Sequence, residues 1–356
     1  MRIFLFLSLL APLCAGAPKI DTGEINGAKY LIEVPDSWNG VLIMYCHGYA
    51  SSPGNFDSPR QQSAMNPFVE SGYAVARSGY AAGGFAVKEA VQDTQALRRY
   101  FVAKHGTPSE TYVMGHSMGG LLTMALVEMF PEDYDGGLAL CGVLSPSAWF
   151  VERHIFDSRV VFDYLFPGVL PPPDKAAPRD PGVTKKIAAA LDSNPSAAET
   201  FRRYVSARNH QEAAGVAAFF TELLTELIQR AGGNAFDNRN TIYQGTPDND
   251  ALNDGVKRYA ADPRAAEYLR VWYTPTGRLT RPLLAIHTTQ DAVVPPWVPG
   301  MYATMAGQAG SSGFFVQQYV KRAGHCAISP EETTRGFNQL REWKTKGARP
   351  LAGAAR

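Results

Sequence analysis

The segment Thr111-Tyr-Val-Met-Gly-His-Ser-Met-Gly-Gly120 constrains the fold of this chain more than any other. Tyr112, Val113 and Met114 form a short apolar run suited to a buried strand, and Leu121, Leu122, Ala125, Leu126 and Met129 follow at helical spacing until Pro131 ends the pattern. Only Gly115-His116-Ser117-Met118-Gly119 separates the two runs, so the strand must turn straight into the helix. So sharp a turn leaves no room for side chains two positions either side of the serine, which accounts for glycine at 115 and 119. Gly120 adds close approach of helix to sheet. The turn predicts that Ser117 stands exposed at the sheet edge, beside the positive end of the helix dipole. A glycine-rich turn capped by a serine would explain the pentapeptide alone, but not the strand before it and the helix after it.

The rest of the chain supplies a setting for that turn. Met1-Arg2 followed by Ile3 to Leu10, apolar except at Ser8, is a positive start with an apolar segment too short to span a bilayer. Small residues follow at Ala15, Gly16 and Ala17, so residues 1–17 are expected to be a secretory signal and the protein secreted or periplasmic. Leu13 stands before Cys14 where a lipid anchor would want a small residue, so lipidation is not expected. With 34 Lys+Arg against 33 Asp+Glu and no long run of like charge, nucleic acid is excluded as an expected partner. No segment reads as transmembrane: the most apolar stretch, Val216 to Ile228, is broken by Glu222 and Glu226 and has the period of an amphipathic helix.

A strand pattern opens at Gly27 to Val34, and Val41 to Cys46 is a continuous apolar run typical of a strand buried on both faces. Tyr73 to Arg77 and Gly137 to Cys141 read as further strands, with helical period over Val87 to Val102. Strands alternating with helices imply an α/β fold with a mostly parallel sheet covered on both faces. From Ser145 to about Thr280 no strand run is found, and this stretch is expected to be a helical cap. The α/β pattern returns at Pro282 to Thr288, Phe314 to Val320 and the helix Glu331 to Lys344. The expected organisation is a core of 18–144 and 281–345, a cap or lid of 145–280, and a flexible tail of 346–356. Asp248 to Asp254 resembles a calcium loop superficially, but Leu252 takes a ligand position and no glutamate closes it, so a solvated turn is expected and no metal or cofactor is assigned.

A serine hydroxyl is a weak nucleophile at neutral pH. It needs an imidazole to take its proton and a carboxylate to hold that imidazole in one tautomer. Asp291 follows the strand Leu283 to Thr288 in a loop whose prolines, Pro295 and Pro296, forbid a helix; His325 follows the strand Phe314 to Val320 in Ala323-Gly-His-Cys326. Both leave the carboxyl end of a strand. His287, His105, His154 and His210 suit structural roles, His105 by bonding the last carbonyls of its helix, and His116 points away from Ser117 by parity. Acyl transfer also needs two N–H donors for the developing oxyanion. Met118, just after the serine, is one candidate, and Tyr49, in His47-Gly48-Tyr49 after an early strand, is the other.

His47-Gly48, Gly115 to Gly119, Asp291 and Gly324-His325, in this order and on these elements, resemble the α/β-hydrolase superfamily. The resemblance covers roughly Ile25 to Leu144 and Arg281 to Trp343. It implies an eight-stranded core sheet with a cap inserted after the strand ending at Cys141. It leaves the substrate open. The pair His325-Cys326 is also similar to secreted tannases and feruloyl esterases, in which that cysteine bridges to one just before the nucleophile; here His116 occupies that place, so that bridge is absent. Without Cys14 the chain has Cys46, Cys141 and Cys326, enough for at most one internal bridge.

The expected activity is a secreted serine hydrolase cleaving carboxylic esters, small or polymeric, through an acyl-enzyme. Trp149 and Phe150, with Phe156 and Phe166, are candidates for the wall of an acyl or aryl pocket, and the cap rather than the triad is expected to set substrate choice. The alternatives are a serine peptidase, for which Glu152, Arg153 or Asp157 would have to hold a peptide terminus, an extracellular polyester or polyamide depolymerase, and a silent binding module. The last has no use for serine, acid and histidine in register. Oligomeric state is left open.

Overall fold

The computed structural model describes residues 17–56 and 65–355. The expected signal peptide, except Ala17, and Cys14 lie outside the described residues. The chain opens with an antiparallel pair, β1 (Lys19–Ile25) and β2 (Ala28–Val34), turned at Asn26-Gly27 with φ of 53° and 86°. Asn-Gly with both φ positive is the preferred two-residue hairpin turn. β1 was not legible as a strand, because only Asp21 on it is buried and no apolar alternation marks it.

Then follow β3 (Val41–Cys46), α1 (Asn66–Glu70), β4 (Ala74–Ser78), α2 (Val87–His105), β5 (Glu110–His116), α3 (Met118–Met129) and β6 (Gly136–Leu140). After β6 come α4 (Ser147–Phe150), a π-helical stretch (Val151–Phe156), α5 (Asp157–Leu165), α6 (Val183–Ser193), α7 (Pro195–Tyr204), α8 (His210–Ala231), α9 (Asn249–Gly255) and α10 (Pro263–Val271). The core resumes with β7 (Leu283–Gln290), α11 (Val298–Gln308), β8 (Phe315–Ala323), α12 (Pro330–Lys346) and β9 (Gly353–Ala354). The sheet has nine strands in the order β1-β2-β4-β3-β5-β6-β7-β8-β9, one more than the eight implied by resemblance. β2 runs antiparallel to β1 and β4, and every pairing from β4 through β3 to β9 is parallel. β5 lies in the middle, so the turn after it opens at the centre of the carboxyl edge, where ligands of parallel sheets collect.

Three local expectations are corrected. Of the expected flexible tail, residues 346–355 are not frayed: Gly347 ends α12 in the left-handed conformation, and the chain returns along β8, where Gln318 Nε2 donates to Leu351 O at 2.9 Å and Ala355 N to Tyr319 O at 2.9 Å. The open edge of β8 satisfies the tail's backbone, a partner that the tail's own composition does not reveal. Asp248 to Asp254 is no simple turn, since the Asp248 side chain accepts from Ala251 N at 2.9 Å and caps α9. His105 bonds Asp21 at 2.9 Å instead of the helix's last carbonyls.

The helices between β6 and β7 pack on one another in a core continuous with that on one face of the sheet. Phe156 packs on Phe236 and Tyr259, and Phe162 on Phe166 and Phe201. This layer is pinned to the sheet layer at both ends. On α8, Glu226 accepts from Phe85 N at 3.0 Å and Arg230 donates to Gly83 O at 2.6 Å. On α3, Glu128 accepts from Tyr302 Oη at 2.7 Å, from Gly277 N at 2.7 Å and from the Tyr273 hydroxyl, which ties the return segment to the helix that follows Ser117. Charge-assisted bonds of this kind are the stronger class.

Candidate active site

Ser117 sits between β5 and α3 with φ 58° and ψ −120°, a backbone state that costs a residue with a Cβ and persists only where its surroundings impose it. Here they do. Its N–H donates to Leu140 O at 2.9 Å, and its carbonyl accepts from Gly120 N at 2.9 Å. A Cβ at Gly119 would lie 2.0 Å from Cys46 O, and one at Gly115 2.5 Å from the same atom, so the glycines inferred from the sequence are required by backbone contact with β3.

β7 and β8 deliver the other two groups. His325 Nε2 lies 2.8 Å from Ser117 Oγ, and His325 Nδ1 lies 2.7 Å from Asp291 Oδ2. The other carboxylate oxygen accepts from Val293 N and Val294 N, each at 2.9 Å. Burial acts to raise the Asp291 carboxyl, but contacts with His287 and His325 and the Val294 N–H outweigh it and hold the group well below the usual carboxylate range. The carboxylate is therefore ionised and accepts a hydrogen bond from Nδ1–H, which leaves Nε2 as an acceptor facing the serine. The elbow glycines and the strand ends brought Ser117, Asp291 and His325 forward, and the fold places all three in one hydrogen-bonded row.

His287, set aside as structural, belongs to the support of that row. Its Nε2 bonds Val294 O at 2.8 Å and stands 3.6 Å from Asp291 Oδ2, so it braces the acid loop from inside β7. Its position four residues before Asp291 on a strand gave no signal of this, because the loop has to fold back to meet it. His116 behaves as parity predicted: it leaves Ser117 and meets Tyr45 Oη at 3.2 Å, while burial, and then the nearby His325, hold its basicity down to a pKa of about 4.

The fold selects one of the cysteine pairings that the sequence left open. No bridge reaches the residue before the serine, yet Cys326 is bridged to Cys141, with Cα atoms 5.2 Å apart. Cys141 stands just past β6, the neighbour of β5, so the bridge starts one strand away from the place at which the resemblance put it. Spacing could not disclose this pairing, since 185 positions separate the two residues. Cys46 stays a free thiol, pushed by burial up to a pKa of about 12 against hydrogen bonding from Thr94 and Tyr80.

The oxyanion candidates flank the serine. A Cβ on Gly48 would lie 3.3 Å from Ser117 Cβ, so the His47-Gly48-Tyr49 loop runs against it; His47 is fixed by Gly48 O at 2.7 Å and by stacking on Tyr80 at 4.0 Å. Met118 N is the first of the helix N–H groups that have no intrahelical partner, and among the described residues neither it nor Tyr49 N is taken up by an acceptor. A small cavity beside Ser117 is lined by Tyr49, Met118, Phe150, Phe219 and Val293 among others. Phe150 thus reaches the serine as expected. Trp149 does not: it is half exposed and packs edge-on against Trp297 at 5.6 Å, because adjacent helical positions face different ways. Phe156 and Phe166 are used up in the core between the helices. Glu152, Arg153 and Asp157 pair with one another, and Arg153 also donates to Thr241.

His154 links the helical layer to the acid loop through Nε2 and Ala292 O at 3.1 Å. Burial lowers its pKa from 6.5 to about 4. The unfolded chain therefore takes up a proton that the folded one refuses: the contribution of His154 is complete above pH 6.5 and is lost as pH falls towards 4. Relative to His154→Phe, the wild-type protein should lose up to about 3 kcal/mol across that window. Urea unfolding at a series of pH values measures it, and parallel profiles for the two proteins would sink the assignment.

Comparison with known proteins places this geometry. The sequence profile of the α/β hydrolase family matches residues 43–336. Over 118 residues, 32% of this chain, the sequence is 27% identical to an o-phthalyl amidase of Xanthobacter agilis, and the match spans only 25% of that protein. Among solved structures, feruloyl esterase B from Aspergillus oryzae aligns over 92% of this chain and 80% of its own, with 14% identity and a TM-score of 0.49. The acylaminoacyl peptidase of Pyrococcus horikoshii aligns over 93% of this chain but 42% of its own, with 12% identity and a TM-score of 0.48. The family profile is the broader finding. It begins within β3 and ends within α12, taking in the serine turn, the acid loop and the histidine turn with the helices between them, and so the chain belongs to the α/β hydrolase family.

Proposed function

We propose that the protein is a serine hydrolase that cleaves carboxylic esters through an acyl-enzyme, with Ser117 as nucleophile, His325 as general base and acid, and Asp291 as the group that orients His325. The observation that carries this reading is the unbroken row Asp291–His325–Ser117, with contacts of 2.7 and 2.8 Å. As Ser117 Oγ attacks the ester carbonyl, its proton passes to His325 Nε2. The oxygen that becomes negative is met by the N–H groups of Met118 and Tyr49, preorganised by α3 and the His47-Gly48 turn. When the tetrahedral intermediate collapses, the acyl–oxygen bond breaks and His325 returns the proton to the leaving alcohol. Water then repeats the sequence against the acyl-enzyme. Secretion is part of the proposal. Supporting it are the leader-like start of the sequence and the disulfide, a bond that persists in oxidising compartments.

Amide cleavage by the same groups is the second reading, favoured by the partial likeness to an o-phthalyl amidase. An exopeptidase finds less support, since Glu152, Arg153 and Asp157 are engaged with one another and none of them lines the cavity at Ser117. An organophosphonate should label Ser117 alone, and Ser117→Ala should keep less than about a thousandth of wild-type turnover. An adduct elsewhere in the chain, found by mass spectrometry, would overturn the assignment. Turnover of nitrophenyl esters against the matching anilides separates the two readings.

A further inference from the structure

The cavity beside Ser117 measures about 20 Å³, room for one water-sized body. It cannot hold an acyl chain of any length. Tyr49 and Phe219, however, also line a second, open space of about 520 Å³, which falls within the range of small-molecule sites. One wall of this groove is a face of α8, with Gly215, Phe219, Glu222 and Glu226 at helical spacing; the other is the proline-rich stretch before α6. The Tyr49 and Phe219 rings meet edge to face, 5.2 Å between centroids, and are common to both spaces, so this pair is the partition between them.

His325 lines neither space. Because it must hand its proton to the leaving oxygen, the leaving group lies on its open side, and the spaces reached past Met118 and Tyr49 are left for the acyl group. The polar groups of the groove differ in how far they are already engaged. Asp180 is held by Lys186 at 2.6 Å, and Glu226 by Arg230 at 2.6 Å and Phe85 N at 3.0 Å. Among the described residues Glu222 is paired only with Arg179, at 3.7 Å, whose own side chain is 75% exposed, and the Tyr49 hydroxyl makes no hydrogen bond. Glu222 is thus the acceptor left for a ligand.

We propose that the groove beyond Tyr49 and Phe219 is an acyl subsite, entered when the Phe219 ring rotates out of its edge contact, and that it takes chains ending in a hydrogen-bond donor, a hydroxyl or an ammonium group, bound by Glu222. This rests on Ser117 being the nucleophile. The apolar partition selects a hydrocarbon segment next to the ester, and the groove selects the far end. The groove is lined by Asp180, Glu222 and Glu226 against one cation, Arg179, so a chain ending in carboxylate is disfavoured, and one ending in methyl leaves Glu222 without a new partner.

The test uses nitrophenyl esters from butanoyl to decanoyl, each ending in methyl, hydroxyl, ammonium or carboxylate. At one chain length in this series, the hydroxyl- and ammonium-ended esters should exceed the methyl-ended one in kcat/KM by about tenfold, with carboxylate lowest. Glu222→Gln should abolish most of the ammonium preference. Gly215→Phe, where a new Cβ meets nothing within 4 Å, should fill the groove and lower the ratio of long-chain to short-chain turnover by about tenfold. Should Gly215→Phe fail to fold, Glu222→Gln, at a partly exposed site, still decides. If methyl-ended chains are best at every length and Glu222→Gln keeps the wild-type profile, the groove proposal is wrong, while labelling of Ser117 would leave the nucleophile assignment standing. If Ser117 is not labelled, both fall.

Discussion

Asp291→Asn should lower kcat by roughly four orders of magnitude, and His325→Ala by roughly six, while the double variant is no worse than His325→Ala alone. The reason is in the geometry. Asp291 Oδ2 accepts the hydrogen bond from Nδ1–H at 2.7 Å, and an amide nitrogen in that place would donate instead, forcing the imidazole into the tautomer whose Nε2 cannot accept from Ser117. Once His325 is absent, Asp291 has nothing left to orient, so the losses cannot multiply. The variant should also differ in acid. Because the Asp291 carboxyl is held well below its ordinary 3.8, its contribution to stability is complete above 3.8 and is lost only as pH falls through the lower folded value. Asp291→Asn lacks that acid limb. Single-turnover rates of the two single variants and the double, with unfolding curves to show that all three are folded, are the measurement. Nearly full activity in Asp291→Asn, or strictly multiplicative losses, would place the orienting acid elsewhere.

The second large effect is expected from the bridge. Cys141→Ala with Cys326→Ala opens a loop of 185 residues, for which chain entropy gives about 5 kcal/mol. Turnover should fall as well, because Cys326 follows His325 directly and both Cys141 and Cys326 have positive φ, 46° and 55°, conformations that a residue with a Cβ keeps only when held. Without the bond the histidine turn is tied to the acid strand only ahead of the imidazole, by Gly324 N to Gln290 O at 2.8 Å and Thr288 Oγ1 to Gly324 O at 3.0 Å; behind it, among the described residues, the ties are local to β8 and the turn, such as Arg322 Nη1 to Ala327 O at 2.7 Å. Urea unfolding of the oxidised enzyme and the double variant gives the stability difference, and kcat at a temperature where both are folded gives the other. A difference below about 1 kcal/mol together with unchanged kcat would show that the bridge neither stabilises the chain nor positions the histidine.

Much of this molecule could be read from sequence because its central features are local. The elbow needs glycine at 115 and 119 within one turn, buried strands such as β3 and β6 are continuous apolar runs, and α8 carries its apolar face at helical spacing. Asp291 and His325 could be picked out because each leaves the carboxyl end of a recognisable strand. What tertiary structure decided was every feature whose partner lies far along the chain. β1 is a strand only because β2 offers it an edge, and the tail is ordered only because β8 does. Cys326 finds Cys141 because β6, β7 and β8 lie side by side, and the turn after β8 reaches across the end of β7 to the segment after β6. His287 supports Asp291 because the acid loop folds back over β7, and Phe150 reaches Ser117 where Trp149 turns outward, a difference set by the rotation of one helix against the core. Hydrophobic period and turn chemistry act over a few residues and leave their mark there. Bridges, edges and pocket walls depend on which elements become neighbours, and that follows from the packing of the whole chain.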